Sequence, residues 1–96
     1  MAQSIIQTER ECYLCGRTDD LHEHHCLEGA YRGNKKNLYG AEKYGLTVWL
    51  CPRCHRETHA SESRMAFFRK IAQTTAMRHY GWDEWEFIKR IGRSFL

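Results

Sequence analysis

Two short strand-like segments precede a longer helical half in this chain. Residues 21–27 have the length of a short strand, and residues 46–50 (LTVWL) are β-branched and aromatic, as strands prefer. Pro52 favours the start of a helix, since its missing N–H costs nothing there. That helix is expected over about residues 53–60. The pattern therefore predicts two strands followed by a helix.

Helix signals continue to the end of the sequence. Ser61 can cap a second helix that extends to about residue 79 and ends at Gly81. Its expected buried stripe has apolar residues at helical spacing, namely Met65, Phe68, Ile71, Ala72 and Ala76. Asp83 with Glu86 predicts a capped third helix over about 84–91. Its expected inward side chains are Trp85, Ile88 and Ile91.

Length and composition fit one small domain over residues 1–96. The chain has 96 residues, 42% of them hydrophobic, with a formal net charge of +3. This charge suits a nucleic-acid partner without requiring one. The basic residues expected to contact phosphates are Arg32, Lys35 and Lys36 on the loop between the strands, and Arg56 on the first helix.

The cysteine spacing predicts a structural zinc site. Cys12 and Cys15 form one CxxC pair, and Cys51 and Cys54 form another. Two such pairs supply the four thiolates of a tetrahedral zinc site. Cys26 is left over and is expected to be a small buried apolar residue. The odd cysteine count, the spacing and the lack of an export signal favour a reduced, cytoplasmic protein without a membrane segment.

The histidines suggest a second, open metal site. His55 and His59 share one helix face, and with His24 they could bind a divalent ion while leaving positions open for water and phosphate. His25 would then be free to act as the general base. Three alternatives remain: solvated helical histidines, His24 replacing a cysteine in the zinc site, or a cluster without activity. His22 and His79 are expected only on the surface.

These residues together resemble the HNH, or ββα-metal, nucleases. The pair His24-His25 is similar to the metal ligand and base of that family, and residues 50–55 (LCPRCH) resemble its LCxxCH signature. His59 is similar to the additional helical ligand of the colicin-type DNases. The likeness covers about residues 12–59. It implies a zinc-stabilised, treble-clef-like α+β core over residues 12–60, with C-terminal helices over 61–96.

The resemblance implies a metal-dependent DNA endonuclease or nickase with little sequence specificity. Its cofactors would be a structural Zn²⁺ and a catalytic Mg²⁺, Mn²⁺, Ni²⁺ or Zn²⁺. Small phage-encoded members have a similar layout, which suggests a phage protein acting in the cytoplasm of a bacterial host. A homodimer or a partner protein could bind through the C-terminal helices, where Trp82 and Trp85 are candidate contacts.

One position departs from the family pattern. The central asparagine of the family, which helps to orient the ring of the base, would fall on Leu46. This departure keeps two other hypotheses open. The chain could be a non-catalytic zinc module that binds nucleic acid, or a zinc-stabilised protein that binds another protein.

Overall fold

A computed structural model describes residues 3–27 and 43–96 of the protein. Its strands are β1 (His22–His25) and β2 (Thr47–Leu50). Three helices have bounds within the described residues: α1 (Pro52–His59), α2 (Glu62–Tyr80) and α3 (Glu84–Ile91). The predicted small α+β organisation is confirmed. Arg32, Lys35 and Lys36 lie outside the described residues.

The two strands form an antiparallel ribbon. His22 lies opposite Leu50, and His25 lies opposite Thr47. The N-terminal segment covers the other edge of β2, because Ser4 Oγ donates to the Thr47 carbonyl at 2.6 Å and Trp49 N donates to Gln7 Oε1 at 2.8 Å. These bonds satisfy backbone groups that an edge strand would leave unpaired.

Helix α1 begins at the end of β2 with an unusual cap. Cys51 is the N-cap residue, and its sulfur accepts a hydrogen bond from Cys54 N at 3.4 Å. Pro52 follows at the first helical position, as its fixed φ allows. His55 and His59 therefore lie on a helix whose first turn is tied to the cysteine cluster.

The predicted ends of α2 and the start of α3 are confirmed. Ser61 Oγ accepts from Arg64 N, and Asp83 accepts from Glu86 N at 2.8 Å. Gly81 ends α2 with a φ of 71°, a left-handed conformation that glycine adopts without strain. These three boundaries follow from local capping chemistry.

The phase of α3 differs from the prediction. Trp85 was expected to point inward but is 78% exposed, whereas Phe87 is fully buried. Phe87 packs in the main core together with Phe68, Leu46 and Leu50. Ile91 is buried as expected.

A buried amide on α2 holds the C-terminal residues. Gln73 Nε2 donates to Ser94 Oγ at 3.0 Å, and Gln73 Oε1 accepts from Phe95 N at 2.5 Å. Gln73 is fully buried, so these bonds offset the cost of removing its amide from water.

In residues 3–27 and 43–96, no helix is both long and apolar enough to span a membrane.

Gly45 and Gly81 provide a matched test of how the N-terminal segment packs. Both have a φ near +70°, but a Cβ on Gly45 would lie 2.3 Å from the Gln3 carbonyl oxygen, whereas one on Gly81 would meet no atom within 4 Å. We expect Gly81→Ala to lower the free energy of unfolding by about 1–2 kcal/mol, the cost of a left-handed alanine.

Gly45→Ala should carry the same backbone cost and, in addition, about 1–3 kcal/mol for the overpacked contact with Gln3. Urea unfolding of the two zinc-loaded variants measures the difference. Equal losses of stability would show that the N-terminal segment does not pack against Gly45 in solution.

Candidate metal centres

Four thiol groups meet at the junction of the N-terminal loop, β2 and α1. The sulfurs of Cys12, Cys15, Cys51 and Cys54 lie within 4.8 Å of one another. Cys15 Sγ and Cys51 Sγ are 3.7 Å apart. Two sulfurs that are each about 2.3 Å from a tetrahedral Zn²⁺ lie roughly 3.8 Å apart. The cluster could therefore hold a structural metal ion such as zinc.

The backbone of the N-terminal loop fixes the first pair of thiols. Cys12 N donates to the Arg17 carbonyl at 2.7 Å, and Gly16 N donates to the Cys12 carbonyl at 2.8 Å. Gly16 has a φ of 82°, as the tight loop after the second cysteine requires. Tyr13 N donates to the Trp49 carbonyl, which docks this loop on β2.

The charges of the four thiols depend on one another. Burial raises the pKa of Cys12, but hydrogen bonds from the backbone N–H groups of Cys51, Cys15 and Leu14 outweigh it and bring the pKa to about 6. Burial and the neighbouring thiols raise the pKa of Cys54 to about 12. All four groups can ionise together only beside a cation, and a divalent metal ion supplies that charge.

A second cluster is built from imidazoles. Ring nitrogens of His24, His55 and His59 lie within 4.8 Å of one another. His55 Nε2 and His59 Nε2 are 3.1 Å apart. Two nitrogens that are each about 2.0–2.1 Å from a tetrahedral ion lie roughly 3.3–3.4 Å apart. Strand β1 supplies the first of these rings and one face of α1 supplies the other two.

His24 forms the buried side of this cluster. Its side chain is fully buried, its ring lies 5.1 Å from that of Phe68, and neither ring nitrogen has a hydrogen-bond partner among the described residues. Burial, with smaller contributions from His55 and His59, lowers its pKa to about 3. A neutral imidazole is the form that binds metals, and coordination would offset the cost of burying its nitrogens.

His25, the predicted base, is oriented differently. Strand alternation places it with Glu23 on the face of β1 opposite His24. Its Nε2 lies 3.6 Å from Glu23 Oε1. Because His25 is the last residue of β1, its ring is adjacent to the turn that follows the strand. Its role as a base stays a prediction.

His22 belongs to the cluster region although the sequence suggested only a surface position. It is exposed, but its Nδ1 lies 3.3 Å from His55 Nδ1, and the two rings meet edge to face with centroids 5.4 Å apart. The available signal was the spacing of His22 and His24, because alternate residues of a strand share one face.

The other candidate residues have simpler positions. Cys26 is buried outside both clusters, as predicted, and burial raises the pKa of its thiol. Leu46 is fully buried in the core. Arg56 lies exposed on α1 and can contact a ligand from solvent.

We predict that Cys54→Ala abolishes stoichiometric zinc binding and cooperative folding, because structural zinc contributes roughly 10–16 kcal/mol of apparent binding free energy in small zinc domains. The matched control is Cys26→Ala, which also removes a buried thiol but lies outside the cluster. It should keep one tightly bound zinc per chain. Zinc analysis and thermal unfolding measure both effects, and tight zinc retention by Cys54→Ala would contradict the four-thiol assignment.

No protein-family model, curated protein or solved structure matches this chain.

Proposed function

We propose that the protein is a metal-dependent nuclease of the ββα-metal type that cleaves or nicks DNA. The observation that supports this proposal is the cluster of His24, His55 and His59 beside a separate four-thiol cluster. The thiols can satisfy a structural ion alone. The histidines are then available for a second divalent ion, and three protein ligands leave coordination positions for substrate.

The three histidines of the cluster are buried to different extents, so one side of the site is more accessible to solvent than the other. His24 is fully buried, His55 is half-buried and His59 is exposed. A phosphate diester can therefore approach from the side of α1 that carries His59. Arg56 is exposed on the same helix and can bind a neighbouring phosphate by charge, without reading the base sequence.

The proposed reaction is hydrolysis of one P–O bond. His25 accepts a proton from water, the water oxygen forms a bond to phosphorus, and the bond from phosphorus to the bridging sugar oxygen breaks. That oxygen leaves with a proton from solvent, giving a phosphate monoester and an alcohol. A divalent ion at the histidine cluster would stabilise the charge that develops on the phosphate oxygens.

The adjacency of His24 and His25 supports this division of roles. One residue is directed to the cluster and the next is on the other face, at the point where β1 ends. The proposal requires the phosphate to lie beyond this strand end, where the cluster and His25 can both reach it. Target choice would come from another molecule, and we propose Trp85 on α3 as a contact for a second copy or a partner protein.

We expect His25→Ala to lower the rate of supercoiled-plasmid nicking by about 10²–10⁴-fold, the usual contribution of a general base. Reactions would contain Mg²⁺, Mn²⁺, Ni²⁺, Zn²⁺ or no added metal. The matched control is His79→Ala, which removes an exposed histidine from α2. Both variants should keep their structural zinc. Absence of nicking by the unaltered protein with every metal would reject the nuclease and favour a non-catalytic binding module.

The proposed contact between Arg56 and phosphate can be tested separately, through the salt dependence of DNA binding. Arg56→Gln, in a His25→Ala background, should reduce the slope of log affinity for duplex DNA against log salt by about one. Arg64→Gln removes the same charge, but Arg64 is 3.3 Å from Glu57 and is already paired. The slope for the Arg64→Gln variant should therefore change little. Equal slopes for the two variants would remove Arg56 from the proposed interface.

A further inference from the structure

We infer that His22 is a positioning residue that holds His55 in the tautomer and orientation needed to bind a metal ion. This inference rests on the proposed function in one respect, that a divalent ion binds His24, His55 and His59. It adds a fourth histidine with a different task. His22 would contact His55, one of the residues that bind the ion, rather than the ion itself or the substrate.

The two nitrogens of His55 face two different histidines. Its Nε2 lies 3.1 Å from His59 Nε2, and its Nδ1 lies 3.3 Å from His22 Nδ1. His55 belongs with His24 and His59 to the group of possible metal ligands, whereas His22 is outside that group. Because Nε2 is the His55 atom that lies close to His59, we assign Nε2 as the coordinating atom of His55. The second distance is within hydrogen-bond range for two imidazoles, one donating and one accepting.

The direction of the second hydrogen bond decides the tautomer. When His55 Nδ1–H donates to His22, the lone pair of His55 Nε2 is directed to the ion. When His22 donates instead, neutral His55 carries its proton on Nε2 and cannot coordinate through that atom. Metal-bound histidines generally donate their other N–H to an acceptor that fixes the ring. His22 Nδ1 is placed to be that acceptor when it carries no proton.

Strand register explains how His22 reaches this place. It lies opposite Leu50, the residue before the N-cap of α1, and it shares a strand face with His24. The first turns of α1 therefore pass beside His22. The alternative is that His22 and His55 Nδ1 bind an ion directly, which predicts a different stoichiometry and a different ligand set.

The test measures Co²⁺ binding by calorimetry and visible absorption, with zinc already at the four-thiol site and the zinc content verified. The variants are His22→Phe and His22→Gln, with His79→Phe as the control for loss of an exposed histidine. We expect His22→Phe to weaken Co²⁺ binding by about 10–100-fold, as loss of a partner of a metal ligand does. Its saturated spectrum and stoichiometry should be unchanged.

His22→Gln should recover part of the affinity, because its side-chain oxygen can accept from His55 Nδ1–H. Imidazole ¹⁵N NMR of protein saturated with Zn²⁺ gives a direct reading and should show His55 protonated at Nδ1. Unchanged affinity in His22→Phe, or protonation of His55 at Nε2, would overturn the inference. Loss of one bound ion, or a changed Co²⁺ spectrum, would overturn it in favour of a direct ligand.

The outcomes for His22 and for the nuclease can be separated. Co²⁺ binding that depends on His22, without nicking in any metal, would reject the nuclease and keep the positioning role. If the protein nicked DNA but its Co²⁺ affinity did not depend on His22, the nuclease would be kept and the positioning role rejected. If the unaltered protein bound no Co²⁺ beyond the zinc site, both would be rejected.

Discussion

The four-thiol cluster sets the position of α1, and both candidate sites depend on that helix. Cys51 directly follows β2, is the N-cap residue of α1 and is a member of the cluster. Cys54 follows in the first turn, and the next residue, His55, belongs to the histidine cluster. A metal ion held by the thiols would thus fix the axis along which His55 and His59 are presented to β1. Ion binding at the two clusters would then be linked through one helical turn.

Several of the cysteines also form part of the small hydrophobic core. Cysteines 12, 26, 51 and 54 stand among the buried residues beside Phe68, Leu46 and Phe87. Small domains bury too little apolar surface for a wide margin of stability, and metal binding is a common supplement. The hydrogen bonds from Ser4 and Gln7 to β2 act in the same direction, since they protect a two-stranded ribbon that would be marginal alone.

Features coded by neighbouring residues could be predicted, whereas those set by tertiary contacts could not. The caps at Ser61 and Asp83 and the left-handed Gly81 follow from local chemistry, as does the common helix face of His55 and His59. The inward orientation predicted for Trp85 was wrong because the apolar residues at 85, 87, 88 and 91 of α3 allow more than one inward face. In the structure Phe87 lies in the core and its ring meets that of Phe95.

The contacts of Gln73 and His22 join residues distant along the chain. The hydrogen bonds of Gln73 to Ser94 and to the backbone of Phe95 allow its amide to be buried, and His22 meets His55 only once the register of β1 against β2 is set. Sequence spacing gives no measure of either contact. It could indicate that His22 shares a strand face with His24, but the helix opposite that face had to be known before His22 could be placed near His55.

The apolar residue at position 46 changes how the proposed base can be held. Leu46 is fully buried among core side chains, so an asparagine there would bury an amide in an apolar environment. The core thus favours leucine at position 46. In the ββα-metal nucleases, which this sequence resembles, a polar side chain at the corresponding position helps to orient the base. In this chain Glu23, whose carboxylate is 3.6 Å from His25 Nε2, lies on the correct strand face to restrain the ring. The side chains of β1 thus form two pairs on opposite faces of the strand. His22 and His24 face α1, whereas Glu23 and His25 lie on the other face.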